Sequence, residues 1–222
     1  MRLAFADPRN LTLSPLNMHY GRPDPDVSDI LPGPFNAALR SLGRPPLAVP
    51  GRPKYTVFTP FFTRAGVNGM VDPFALESLV HPDLLPFERP FVLAHEWAHL
   101  AGVADEAEAS AVGWAACMRG SDALAYSGAL FLIEESAAAL PAPVWKTLTA
   151  SLDEGVRDDL IAIRDRLRRI QPRVRQASFA VYDRYLKANQ VEDGVASYSR
   201  ALRLILLPAF RAQAVDGQRA GR

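Results

Sequence analysis

The segment Leu93-Ala94-His95-Glu96-Trp97-Ala98-His99-Leu100-Ala101-Gly102 decides how the rest of the chain is read. Its apolar setting predicts a helix from about Glu88 to Leu100, with Pro90 at its first turn and Gly102 as its stop. Positions i and i+4 share one face of a helix, so His95 and His99 direct two imidazoles at a common point. A tetrahedral Zn²⁺ ion accepts that spacing, and Glu96 beside it is placed to take a proton from water. Chance alone puts two His and one Glu at these places in roughly one chain of this length in a hundred. The chain has 4 His in all, and this motif uses two of them.

A catalytic zinc site needs a third protein ligand and one open position. No histidine follows within the next turns, and His81 upstream reads as a turn or surface residue. Asp105, Glu106 and Glu108 come next, at the start of a second helix predicted from about Asp105 through Met118. Helical phase separates the two glutamates. Glu106 shares a face with Ala109, Val112 or Gly113, and Ala116, small residues suited to packing on the first helix. Glu108 falls on a different face, so Glu106 is the expected ligand and Glu108 the alternative.

Composition narrows the function classes. The 222 residues are 49% hydrophobic, enough for a real core, and the formal net charge of +1 gives no field that would draw nucleic acid. The single cysteine, Cys117, excludes a disulfide framework and a Cys-based zinc site, and its apolar helical setting reads as a buried, inert thiol. No stretch reaches the roughly 18–20 apolar residues of a membrane span. Asp7, Pro8, Arg9 and Asn10 break any signal-peptide core, so the chain as given reads as soluble.

Along the chain, residues 1–53 are proline-rich, with one short helix expected from about Pro34 to Leu42. Tyr55 to Phe58, Gly69 to Val71 and Leu76 to Val80 are β-prone, and Asn68-Gly69 and Asp72-Pro73 supply turns, which predicts a small antiparallel sheet just before the metal helix. A free edge of that sheet could take an extended peptide as an added strand; equally, the sheet would serve to cover the helix. Ser121 or Asp122 opens a helix to about Leu140, ended by Pro141 and Pro143. Ser151 to Glu154 reads as a capping box for a helix to about Ile170 whose Arg164, Arg166, Arg168 and Arg169 form a solvated face. Two more helices follow, about Arg173 to Ala188 and Gly194 to Phe210.

His95-Glu96-Trp97-Ala98-His99 followed by Asp105-Glu106-Ala107-Glu108-Ala109-Ser110 resembles the gluzincin pattern of HExxH with a downstream glutamate. Heat-shock and CAAX-processing endopeptidases carry that pattern. The chain is more closely similar to a bacterial domain-of-unknown-function family of predicted zinc metallopeptidases. The likeness extends to Val67-Asn68-Gly69-Met70, Tyr126-Ser127-Gly128, the run from Val181 to Asn189, and Gly194-Val195-Ala196-Ser197-Tyr198. It covers about Leu31 to Leu207. The resemblance implies an α+β, zincin-like domain: mostly α with a small β-sheet, an HExxH active-site helix and a C-terminal helical bundle. It makes Glu106 the third ligand, and puts Ser110 where an Asp or Asn is usual. Members usually carry N-terminal membrane helices, so membrane association would come from segments this chain lacks.

The expected organisation is a proline-rich wrap over 1–53, one zincin-like domain over 54–210 and a disordered tail over 211–222. The expected function is a zinc peptidase, one Zn²⁺ per chain on His95, His99 and Glu106, acting on a peptide or protein substrate. Glu96 serves as general base, with Tyr198 and Arg200 as candidates for stabilising the oxyanion. Structural packing is an equal reading for Tyr198 and Arg200, and Tyr182, Asp183, Lys187 and Asn189 are candidates for tying the C-terminal helices to the zinc helix. The competing class is a zinc-binding module without catalysis, and a third is a metal-dependent hydrolase of non-peptide substrates.

Overall fold

Between Glu106 and Met118 the chain carries five alanines, the residue of highest helix propensity, and few side chains that need water. That stretch forms the helix at the centre of the core. The computed structural model describes residues 25–48, 52–72, 74–188 and 198–214. In chain order their elements are α1 (Pro25–Ile30), α2 (Pro32–Ser41), α3 (Thr59–Ala65), β1 (Gly69–Asp72), β2 (Glu77–Val80), α4 (Arg89–Leu100), α5 (Glu106–Met118), α6 (Asp122–Ala139), α7 (Ala142–Ala150), α8 (Glu154–Leu167), α9 (Pro172–Ala188), α10 (Tyr198–Leu206) and α11 (Pro208–Ala214). The fold is mostly helical with one two-stranded antiparallel sheet, an α+β arrangement.

α4, α2, α6 and α10 all lie against α5. The core between them holds Leu31, Phe35, Leu39, Trp97, Leu124 and Ile205, each 0–1% exposed. Phe35 meets Trp97 edge to face at 5.6 Å, an arrangement the ring quadrupoles favour. Small residues let the central helices touch backbone to backbone. A Cβ on Gly113 would come within 3.0 Å of the His95 nitrogen, so α5 crosses α4 directly under the metal motif. On Gly128 a Cβ would reach within 2.9 Å of the Cys117 Cβ, which sets how closely α6 approaches α5. Cys117 is fully buried, and burial raises its thiol pKa.

The hairpin stands where Asn68-Gly69 and Asp72-Pro73 predict it, with Gly69 opposite Val80 and Asp72 opposite Glu77. Asp72 Oδ1 accepts the N–H groups of Phe74 and Ala75, closing the turn. Several expectations change. Tyr55 to Phe58 forms no strand: only Lys54 bridges Leu79, and Thr59 and Pro60 start α3, where Pro supplies a preset helical φ. Pro141 ends α6 but also precedes α7, because Pro suits a helix start as well as a stop. Ser151 makes no capping box; its hydroxyl donates to Leu148 O at the end of α7, and Asp153 is the N-cap of α8. Pro208 divides the expected final helix into α10 and α11.

His81 is 2% exposed rather than a surface residue. Its Nδ1 accepts the Asp83 N–H at 3.0 Å and its Nε2 meets Thr63 Oγ1 at 2.9 Å. Burial, the largest influence, lowers its pKa, so it sits as a neutral tie between α3 and the loop after β2. Among the described residues no helix is long and apolar enough to cross a membrane.

Candidate metal centre

α4 presents His95 and His99 on one face, one turn apart, and Ser127 on α6 supports its start by accepting the Phe91 N–H at 3.0 Å. At the other end Gly102 adopts φ 85°, a left-handed turn that a side chain would strain, and the chain reverses into α5. Asp105 caps α5, its Oδ1 accepting the Glu108 N–H at 2.9 Å. Glu106 is then the first residue of α5, delivered to the two histidines by the same crossing that Gly113 permits.

The three side chains converge. His95 Nε2 lies 3.2 Å from Glu106 Oε2, His99 Nε2 3.6 Å from the same oxygen, and the two Nε2 atoms 3.1 Å apart. A tetrahedral ion with bonds of ~2.0–2.1 Å has ligand–ligand edges of about 3.3–3.4 Å. The three measured edges bracket that value, and two imidazoles with one carboxylate are a donor set that suits a borderline metal ion. The residues present fit a metal.

Each histidine also has a partner for its other ring nitrogen. His99 Nδ1–H donates to Val103 O at 2.7 Å, which turns Nε2 towards the cluster. Ser110 Oγ lies 3.2 Å from His95 Nδ1, within hydrogen-bond distance, and so helps hold that ring in place. Ser110, where the resembled pattern has Asp or Asn, therefore touches His95 with a hydroxyl.

As ionisable groups, these side chains support one another. Burial opposes charge on His99, but hydrogen bonding to Glu106, the charges of Glu96 and Glu106, and the Val103 carbonyl lift its pKa to about 9. Burial likewise works against ionised Glu106, and the hydrogen bonds and charges of His95 and His99 overcome it, holding the carboxyl well below its usual range. Glu108 stands apart, half exposed and 3.0 Å from Arg44, so it is not part of the cluster.

Glu96 differs from all of these. It is 5% exposed, yet its carboxylate makes no hydrogen bond or ion pair with any described residue. Burial, the largest influence, raises its pKa, and the nearby His95 and His99 only partly offset that. A Cβ on Gly69 would lie 2.5 Å from Glu96 Oε1, so β1 passes directly over the carboxylate. Sequence reading took Asn68-Gly69 as turn chemistry; the need for glycine here is a close approach across space, which no local pattern signals. Gly69→Ala is expected to push the Glu96 side chain aside, leaving metal content unchanged and lowering any Glu96-dependent turnover by about 10²-fold, read from kcat and metal analysis of the same preparation.

The sheet also has one open edge. The His81 N–H donates to Asn68 O, and the Lys54 N–H and O bond Ser78 and Val80 on the far side of β2. With the alternation of antiparallel pairs, Gly69 and Val71 therefore turn their N–H and C=O groups away from β2. Neither has a hydrogen-bond partner on that side among the described residues.

Of the other expected residues, Tyr198 opens α10, but its side chain lies outside the described residues, as do Asn189 and the side chains of Tyr182, Asp183 and Lys187. Arg200, 48% exposed, reaches Asp105 at 3.5 Å, beside the cluster rather than in it. The arginines in and just after α8 are not one solvated face: Arg164, Arg168 and Arg169 are exposed, whereas Arg166 is 9% exposed and bonded to Glu88 at 2.5 Å.

No curated protein and no solved structure matches the chain. Residues 41–206 match the family described as Protein of unknown function (DUF3810), a span that contains the whole cluster, and the chain belongs to that family.

Proposed function

We propose that this chain is a zinc-dependent peptidase of the gluzincin type, with a zincin-like domain built on α4. The observation that carries the proposal is the pairing of two features: three candidate ligand atoms at tetrahedral edges, and beside them a buried carboxylate with no hydrogen bond or ion pair to any described residue. Zn²⁺ on His95, His99 and Glu106 would supply Lewis acidity, polarising a carbonyl and making nearby water acidic at neutral pH. Glu96 accepts the proton of the attacking water and delivers it to the leaving amine, a role its raised affinity for a proton suits. The outward N–H and C=O groups of Gly69 and Val71 pair with an extended peptide and lay it across α4. Ser110 and Val103 keep the imidazoles oriented while the charge changes. Tyr198 remains the proposed donor to the developing oxyanion.

A zinc-binding module without catalysis is the second reading. It leaves Glu96 unexplained, since burying a carboxylate opposes folding and a purely structural site has no use for one. The deciding experiment measures metal content and cleavage of casein before and after chelation. The expected result is about one zinc per chain, cleavage lost with the metal, and recovery on adding zinc back. Zinc at that stoichiometry without cleavage of casein or other unfolded proteins would favour the binding module, and no zinc would end both readings.

A further inference from the structure

Arg166, in the last turn of α8, reaches two other segments at once. Its Nε–H donates to Glu88 Oε2 at 2.9 Å, one Nη–H to Glu88 Oε1 at 2.5 Å, and the other to Asn68 Oδ1 at 3.1 Å. Glu88 precedes α4 and Asn68 precedes β1, so one guanidinium joins α8, the metal helix and the edge strand. Glu88 is itself held, its Oε2 accepting the Leu85 N–H at 2.9 Å. Asn68 is fixed at its other end by the His81 N–H on its carbonyl.

Anchoring α8 requires only the bidentate contact with Glu88. The third bond, to Asn68, does something else. The next residue is Gly69, which lies on Glu96 and turns its own N–H and C=O to the open edge. A planar fork that keeps its proton at any working pH fixes three acceptors in one geometry, which a lysine ammonium on a flexible stem does not.

We propose that Arg166, acting through Asn68, is a positioning residue: it sets the distance between the edge of β1 and α4, and thereby how an extended peptide lies over Glu96. The catalytic half of this inference rests on the peptidase reading; the mechanical half does not.

The test compares the zinc-loaded full chain with Asn68→Ala, which leaves the Glu88 contact intact, and with Arg166→Lys. Amide exchange at Met70 and Asp72, the residues of β1 turned to β2, is expected to quicken about 10-fold in both variants, while exchange across α4 and α5 and the zinc content stay at wild type. KM for casein should rise about 10-fold with kcat within about 2-fold, the loss of one charge-assisted hydrogen bond. Unchanged exchange at Met70 and Asp72 in Asn68→Ala would overturn the proposal. So would a uniform rise over the whole chain, the mark of a merely structural role, or a fall in kcat with KM unmoved. If the zinc-loaded wild type cleaves neither casein nor other unfolded proteins, the peptidase reading fails, and exchange at Met70 and Asp72 still decides whether Arg166 holds the strand.

Discussion

Glu96→Gln is expected to lower peptide cleavage by about 10³-fold in kcat while zinc content stays at the wild-type level. Glutamine has the shape of glutamate and fits under Gly69, so neither β1 nor the ligands need move. What it lacks is the basic oxygen that takes the water proton. The same substitution has a second consequence that separates a functional carboxylate from a structural one. In the metal-free protein Glu96 is buried without a hydrogen bond or ion pair to any described residue, and burial already pushes its pKa up. Replacing it by a neutral amide removes the cost of burying a charge, so metal-free stability in urea should hold or rise by roughly 0.5–2 kcal/mol. Loss of activity together with loss of stability would instead make Glu96 a structural residue. Retained activity would remove it from the mechanism altogether.

Glu106→Ala should abolish the stabilisation that zinc gives, whereas Glu108→Ala should leave it intact. Wild-type protein at a zinc concentration 100-fold above Kd gains about 2.7 kcal/mol, read as a rise in Tm. Glu106 supplies one of three ligand atoms and is also the counter-charge of both imidazoles. Its removal should weaken zinc binding by more than the ~10–100-fold seen when only an orienting partner is lost. Ser110→Ala, which touches only His95 Nδ1, belongs in that smaller range. Glu108 is half exposed and paired with Arg44 outside the cluster. If Glu108→Ala lost the zinc effect and Glu106→Ala kept it, the ligand set would be wrong.

Much of this site could be read before any coordinates, because its information is local. The i, i+4 spacing of His95 and His99 is fixed by helix geometry, and the phase of Glu106 against Glu108 by the same 100° step. The small residues on the Glu106 face announced a close helix crossing, and Gly113 against the His95 backbone is that crossing. The hairpin at Asn68 to Val80 came from turn chemistry in the same way. Proline was the least informative local signal: at Pro60, Pro141 and Pro208 the chain starts a new helix, since a residue that stops one helix is equally suited to begin the next.

The sequence by itself determined the chemistry on offer: two imidazoles and a carboxylate able to meet, and a glutamate next to them. Only the tertiary structure decided which groups act on one another. That Gly69 must be glycine follows from Glu96, 27 positions away in number but in contact in space. Arg166 looks like one of four solvated arginines until Glu88 and Asn68 close around it. Both are contacts between elements distant in the chain, set by how α4, α8 and the hairpin pack. The periodicity within α8 or the hairpin does not record these particular partners on another element.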